Sequence, residues 1–209
     1  MKPSPFVYVL CATALTAACT HSPDAAAPAP AQGWRIDNTQ SAINFVTVKA
    51  GQPGAGGIGE VQRFSRFSGG MSSSGQVSFD VDLASVETGV DIRDERLRTM
   101  LFNVKATPQA NFSAQIDPAL ISALPSNGAR DVDVNGGLTL AGQTKPVAAK
   151  LRVARLGNAL QVTTRAPIVI DANQYGLKPS VEAMREVMGL NFLASAAPVT
   201  FTMVLNAPR

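Results

Sequence analysis

The sequence predicts an all-β protein, an extended antiparallel barrel of about eight strands with one or two short helices. Three observations lead there. From Trp34 onward, apolar and polar residues alternate in short runs, the period of a strand with one dry face. Turn residues punctuate those runs every ten or so positions. Only two segments change to the period of a helix.

The chain opens with Lys2 and an apolar run, Phe6 to Leu15, followed by Thr16-Ala17-Ala18-Cys19. A positive start, roughly a dozen apolar residues and small residues before a cut predict a secretion signal over residues 1–18, too short to span a bilayer. Cysteine after two small residues suits a lipoprotein peptidase. Cys19 is therefore the expected lipid-attachment residue, although Thr16 stands where such signals usually carry Leu. Ordinary cleavage near Ala18 is the alternative, and it would leave a soluble exported domain. In a Gram-negative cell, Thr20 rather than Asp after the cysteine directs sorting to the outer membrane. The expected address is the periplasm or cell envelope, on an outer-membrane anchor.

Residues 19–33 are rich in Ala and Pro and read as a tether. They hold the chain's single histidine, His21, which has no fixed neighbours for catalysis or metal binding. Residues 34–209 form one domain, about 175 residues, enough chain for a real core. Cys11 leaves with the signal and Cys19 is acylated or alone, so no internal disulfide is expected.

Within the domain, Trp34 to Lys49 and Glu60 to Met71 supply strands with untidy alternation. The clearest strand puts Val77, Phe79, Val81 and Leu83 on one face and Ser78, Asp80 and Asp82 on the other. Ala110, Phe112, Ala114 and Ile116 follow the same rule. So do Val132, Val134, Leu138 and Leu140, then Val147, Ala149, Leu151 and Val153. Leu160 with Val162, and Val199, Phe201, Met203 and Leu205, complete the set. The helices are expected over Asp91 to Leu101, with Asp91 as cap, and over Ser180 to Met188, with Ser180 as cap and Gly189 as stop.

The charges exclude some functions. There are 18 basic and 15 acidic side chains, spread along the chain, so neither nucleic-acid binding nor attraction to anionic membrane is indicated. Gly54-Ala55-Gly56-Gly57-Ile58-Gly59 spells a dinucleotide fingerprint, but no helix is expected directly after it, and a barrel-rim loop is the better reading. Arg93-Asp94-Glu95-Arg96 offers carboxylates, yet charges this dense on a short helix usually pair with each other and with nearby backbone, or face water. No nucleophile, base and orienting group share a recognisable spacing, so no enzyme activity and no metal site are expected.

Three segments resemble the YceI-like family, bacterial polyisoprenoid-binding proteins with a lipocalin-like barrel. The first is Trp34-Arg35-Ile36-Asp37 with Ser41-Ala42-Ile43-Asn44-Phe45. The second is Glu87-Thr88-Gly89, Arg93-Asp94-Glu95-Arg96-Leu97, Leu101-Phe102-Asn103-Val104, Pro108 and Phe112. The third runs from Asn135 to Val147 (NGGLTLAGQTKPV). The resemblance covers Trp34 to Ala207. Gln40 stands where the family usually has His, Met100 where it commonly has an acid, and the loop from Ala50 to Gly59 is longer.

The resemblance implies an exported, non-catalytic barrel whose hydrophobic tunnel holds a long-chain apolar lipid. An isoprenoid quinone or prenyl phosphate would be bound as ligand, and no cofactor is required. Phe45, Phe79, Phe112, Leu138, Leu140, Leu151, Phe201 and Met203 are the expected wall residues. Alternation alone leaves a second reading open, a structural or stress-interaction module with a filled core. Small residues at Ala110, Ala114, Gly136 and Ala149 either leave space for a ligand or make room for Phe64, Phe67, Phe102 or Phe192.

Overall fold

The computed structural model describes residues 33–207. The signal segment, Cys19, His21 and nearly all of the tether lie outside the described residues. The rest forms one antiparallel sheet of 13 strands that closes on itself. Eight of them make the ring, β1 (Gly33–Ile36), β4 (Phe67–Ser72), β5 (Gln76–Asp82), β7 (Gln109–Gln115), β8 (Ala129–Leu140), β9 (Gln143–Leu156), β10 (Ala159–Thr164) and β13 (Ala196–Asn206), and β13 returns to β1. The expected barrel is present, and its register is the one alternation demands. Phe79 lies opposite Phe112, Phe112 opposite Leu138, and Val132 opposite Leu151. A slip of one residue would turn each of these side chains outward.

The untidy alternation near the start has a physical cause: the strands there bend between two parts of the sheet. β1 continues as β2 (Ala42–Ala50) along the same edge of β13 after a break at residues 37–41. Side chains repair the ladder at the break. Ser41 Oγ accepts from the Val204 N–H at 2.9 Å, and the Asp37 N–H donates to the Val204 carbonyl at 2.8 Å. β3 (Ile58–Phe64) likewise runs into β4 through Ser65 and Arg66, beside the short β6 (Val86–Glu87). Buried Ser85 accepts there from the Arg66 N–H at 3.0 Å and donates to the Asp82 carbonyl at 2.6 Å.

The Asp37 carboxylate organises its own turn. Hydrogen bonds from the Thr39 hydroxyl and the Gln40 amide, then from the Thr39 N–H, hold its pKa down at about 2. A carboxyl lowered on folding stabilises the fold above its unfolded pKa and stops doing so as pH falls through the folded one. The turn's contribution is therefore complete at neutral pH and lost between about pH 4 and pH 2. Urea midpoints measured across that window should fall more steeply for the parent than for Asp37→Ala.

The first expected helix begins at Asp91 as predicted but with its cap one residue earlier, and the other begins two residues before Ser180. α1 (Asp91–Arg96) is capped by the Val90 backbone, with Asp91 inside the first turn, where a negative charge suits the helix dipole. Asp94 reaches back to take the Thr88 N–H at 2.8 Å. The helix then loosens into a π-turn over Leu97–Leu101. α3 (Lys178–Val187) starts before Ser180 because Pro179 fits the first turn of a helix; Gly189 follows it at φ 62, the expected left-handed stop. A one-turn helix, α2 (Ala119–Ser122), comes in addition.

These helices define two ends. The β2–β3 loop, α1, the π-turn and α3 gather at the end where β2 finishes. The other end carries Gly33, α2 and the turn between β9 and β10. Ile121 within α2 and Leu124 just after it are buried, and Arg155 fixes the helix, donating from Nη2 to the Ile121 carbonyl at 2.9 Å while lying 5.6 Å from the Trp34 ring.

Candidate functional site

The barrel encloses a cavity of about 360 Å³ whose wall is almost entirely apolar. All eight expected wall residues line it. Phe45 lies on β2, Phe79 on β5, Phe112 on β7, Leu138 and Leu140 on β8, Leu151 on β9, and Phe201 and Met203 on β13. Phe79, Phe112 and Phe201 are only half-buried although they point inward, because their rings face the cavity. Ala110 and Ala149 also belong to the wall. The barrel is therefore hollow, which the alternation could not decide.

Two of the small residues do something else. A Cβ on Gly136 would stand 2.4 Å from Phe112 Cζ and 2.5 Å from the Ser113 carbonyl oxygen, so glycine is required for the Phe112 ring to lie against β8. Ala114 packs against Val134, Ala149 and Leu151 and is not part of the cavity wall. Of the aromatics offered as core filling, Phe67 is buried beside Phe79, with ring centroids 5.9 Å apart. Phe64 and Phe102 line the cavity with Phe45; centroids are 5.2 Å apart for Phe45–Phe64 and 6.0 Å for Phe64–Phe102. Phe192 is exposed on the rim.

One end of the cavity is polar. Inward positions run Ile43, Phe45, Thr47 and Lys49 along β2, and Phe64, Gln62 and Glu60 along β3, with Phe45 opposite Gln62 and Thr47 opposite Glu60. The wall thus passes from aromatic to amide to charge within a few residues. Glu60 Oε2 receives Lys49 Nζ and Arg93 Nη1, each at 3.0 Å. Two cations on one carboxylate leave the cluster formally one unit positive. Arg93 comes from α1, so the ion pair ties that helix across the edge of β3.

Arg93 corrects the sequence reading. Its partner lies 33 residues away on a strand rather than on its own helix. Its neighbours are held as structural parts: Asp94 is buried under the Thr88 N–H, and Arg98 donates to the Ala84 and Val86 carbonyls at 2.8 and 3.1 Å. Thr47, Lys49, Glu60, Gln62 and Arg93 were missed as a group. The available signal was the polar inward face of β2 beyond Phe45, where a dry strand would continue with apolar residues.

Two of the family departures fall away from this site, while the third, the loop from Ala50 to Gly59, joins Lys49 to Glu60 and borders it. Gln40 is exposed in the Asp37 turn, and Met100 packs on the core without reaching the cavity. The glycine-rich loop leads into strand β3 and not into a helix, so the dinucleotide fingerprint lacks its phosphate-binding frame. Among the described residues there is no group of three metal-ligating side chains. None of the described helices is long and apolar enough to cross a membrane.

A family profile described as the YceI-like domain matches residues 34–205. A polyisoprenoid binding domain from Saccharophagus degradans, implicated in plant cell wall breakdown, has 31% identity and a TM-score of 0.79, covering 85% of this chain and 99% of its own. Burkholderia cenocepacia BcnA shares 19% identity at a TM-score of 0.61, with 81% and 98% covered, and so speaks for the fold alone. The Campylobacter jejuni YCEI protein does the same at 14% identity and a TM-score of 0.51, with 71% and 85% covered. No match was found among curated proteins. A profile match across nearly the whole barrel, with the 31% identical neighbour, places the chain in the YceI-like domain family.

Proposed function

We propose that this protein is a non-catalytic lipid carrier or store of the cell envelope, holding a long-chain isoprenoid molecule in its barrel with the polar head toward the Lys49, Glu60 and Arg93 end. The observation that carries this reading is the apolar cavity lined by Phe45, Phe79, Phe112 and Phe201, which ends in a compact polar cluster. Each methylene moved from water into such a wall gains about 0.8 kcal/mol, so the tail needs no specific partner. An isoprenoid quinone or prenyl lipid supplies a tail for the wall and a head for the cluster. The name of the Saccharophagus neighbour, a polyisoprenoid binding domain, supports the same ligand class.

Export and anchoring rest on the sequence before Gly33. The signal and Cys19 would place the barrel in the periplasm, tethered to the outer membrane. Gly33 enters the barrel at the end opposite the polar cluster, so an anchor there leaves the cavity's polar end unobstructed. Cys19→Ser should move the protein from the membrane fraction to the soluble periplasmic fraction with its thermal unfolding unchanged. Membrane fractionation that survives the substitution would refute the anchor.

The binding reading is tested by transfer. Delipidated protein mixed with vesicles carrying a radiolabelled isoprenoid quinone should emerge from size exclusion with about one label per chain. A label that stays wholly with the vesicles would refute it.

A further inference from the structure

The barrel wall is not sealed by backbone hydrogen bonds all the way round. Thr163 on β10 lies opposite Arg152 of β9 on one side and Thr202 of β13 on the other. Beyond it β11 (Ile168–Asp171) takes over beside β13, with Ile168 opposite Val199. Five steps along this chain thus match three along β13, so two residues bulge out between Thr163 and Ile168. At the bulge the ladder to β9 ends, its last bond running from the Arg165 N–H to the Lys150 carbonyl at 2.8 Å. Pro167 has no N–H to give, and Pro146 on the facing strand has none either. Among the described residues no hydrogen bond or ion pair joins residues 143–149 to residues 167–175. The free edge of β3, by contrast, is tied to α1 through Glu60 and Arg93.

A second cavity of about 270 Å³ occupies this seam between β9 and β11. Val147, Ile168 and Ile170 line it and also line the main cavity, so these half-buried side chains are the partition between the two. We infer that the seam is the doorway by which a lipid tail enters and leaves the barrel, β9 and β11 moving apart so that the tail slips in sideways. This rests on the lipid-holding reading above and adds the route. Threading through the polar end would take the tail past Lys49, Glu60 and Arg93, whereas the seam offers only apolar side chains. Opening it moves Val147 away from Ile168 and Ile170 and breaks no backbone hydrogen bond between the strands, while parting any paired strands of the ring would break a ladder. Val169, 63% exposed on the outer lip, gives the tail an apolar foothold before it passes.

The test uses the full chain with Cys11→Ser and Cys19→Ser, so that no other thiol is present. Ala148→Cys and Val169→Cys, both at exposed positions on the lips of the seam, are bridged by a short reducible bis-methanethiosulfonate, and the bridge is verified by intact mass. Uptake of a radiolabelled isoprenoid quinone from phosphatidylcholine vesicles is then followed in time, as is release from preloaded protein. Bridging should slow both roughly tenfold or more without changing the amount held at equilibrium, and reduction should restore the rates. The same reagent on Ala154→Cys with Gln161→Cys, which face each other within the intact β9–β10 ladder, should change neither rate. Parent-like rates across a bridged seam, or a reagent that cannot bridge it, would overturn the doorway and leave the lipid-holding reading standing. Equal slowing by both bridges would reduce the effect to general stiffening and overturn it too. No uptake by the unbridged protein would overturn the lipid-holding reading itself, and the doorway with it.

Discussion

Phe79→Asp is expected to abolish both folding and lipid binding. Phe79 sits near the middle of β5, paired with Phe112 and packed against Phe67, where it serves the wall and the core together. Losing the ring costs about 3–5 kcal/mol. A carboxylate set in this almost wholly apolar wall adds several kcal/mol more. Typical domains hold only about 5–15 kcal/mol. Far-UV circular dichroism should show no cooperative thermal transition, whereas Phe79→Leu should keep one at a lower temperature. A cooperative Phe79→Asp melt close to the parent's would mean that position 79 is bathed in water, contrary to a dry apolar wall.

Ala149→Trp is expected to separate folding from binding. Ala149 is 5% exposed on the inner face of β9, opposite Val134, and belongs to the cavity wall. An indole there would occupy a large part of the 360 Å³ available. Overpacking of this kind costs about 1–3 kcal/mol, which a barrel of this size should survive. Cooperative urea unfolding should persist at a lower midpoint, while uptake of a long-chain isoprenoid falls at least tenfold. Undiminished uptake by the folded variant would place the ligand elsewhere. The same substitution at Ala114 is a weaker probe, because that side chain packs between β7, β8 and β9 instead of lining the cavity.

The architecture was legible wherever local pattern and global register agree. β5, β8 and β9 alternate cleanly, and the dry faces read from them are the inner faces of the barrel. The breaks at residues 37–41 and at Ser65–Arg66 were not legible. They are repaired by Ser41 and Ser85, whose partners are set by tertiary structure; Ser41 and Val204 are 163 residues apart. The helix caps were misplaced for a local reason, since Pro179 lets α3 begin at Lys178 and Val90 caps α1 without a side chain.

The wall residues could be named from sequence because they are the large apolar members of those faces. Whether they enclose space is a question of how opposite walls meet, which alternation does not encode. Gly136 shows the difficulty: it reads as a gap, and the Phe112 ring takes the space. The polar end was hidden for a related reason. Lys49, Glu60 and Arg93 come from three elements, and each alone looks like an ordinary surface charge.

The most direct test of a lipid-holding barrel is native mass spectrometry, paired with organic extraction, of the protein purified from a bacterial envelope. The account predicts one long apolar molecule per chain, recovered in the extract and absent after Ala149→Trp. A clean apo mass, with no uptake when isoprenoid quinone or prenyl lipid is added back, would contradict it.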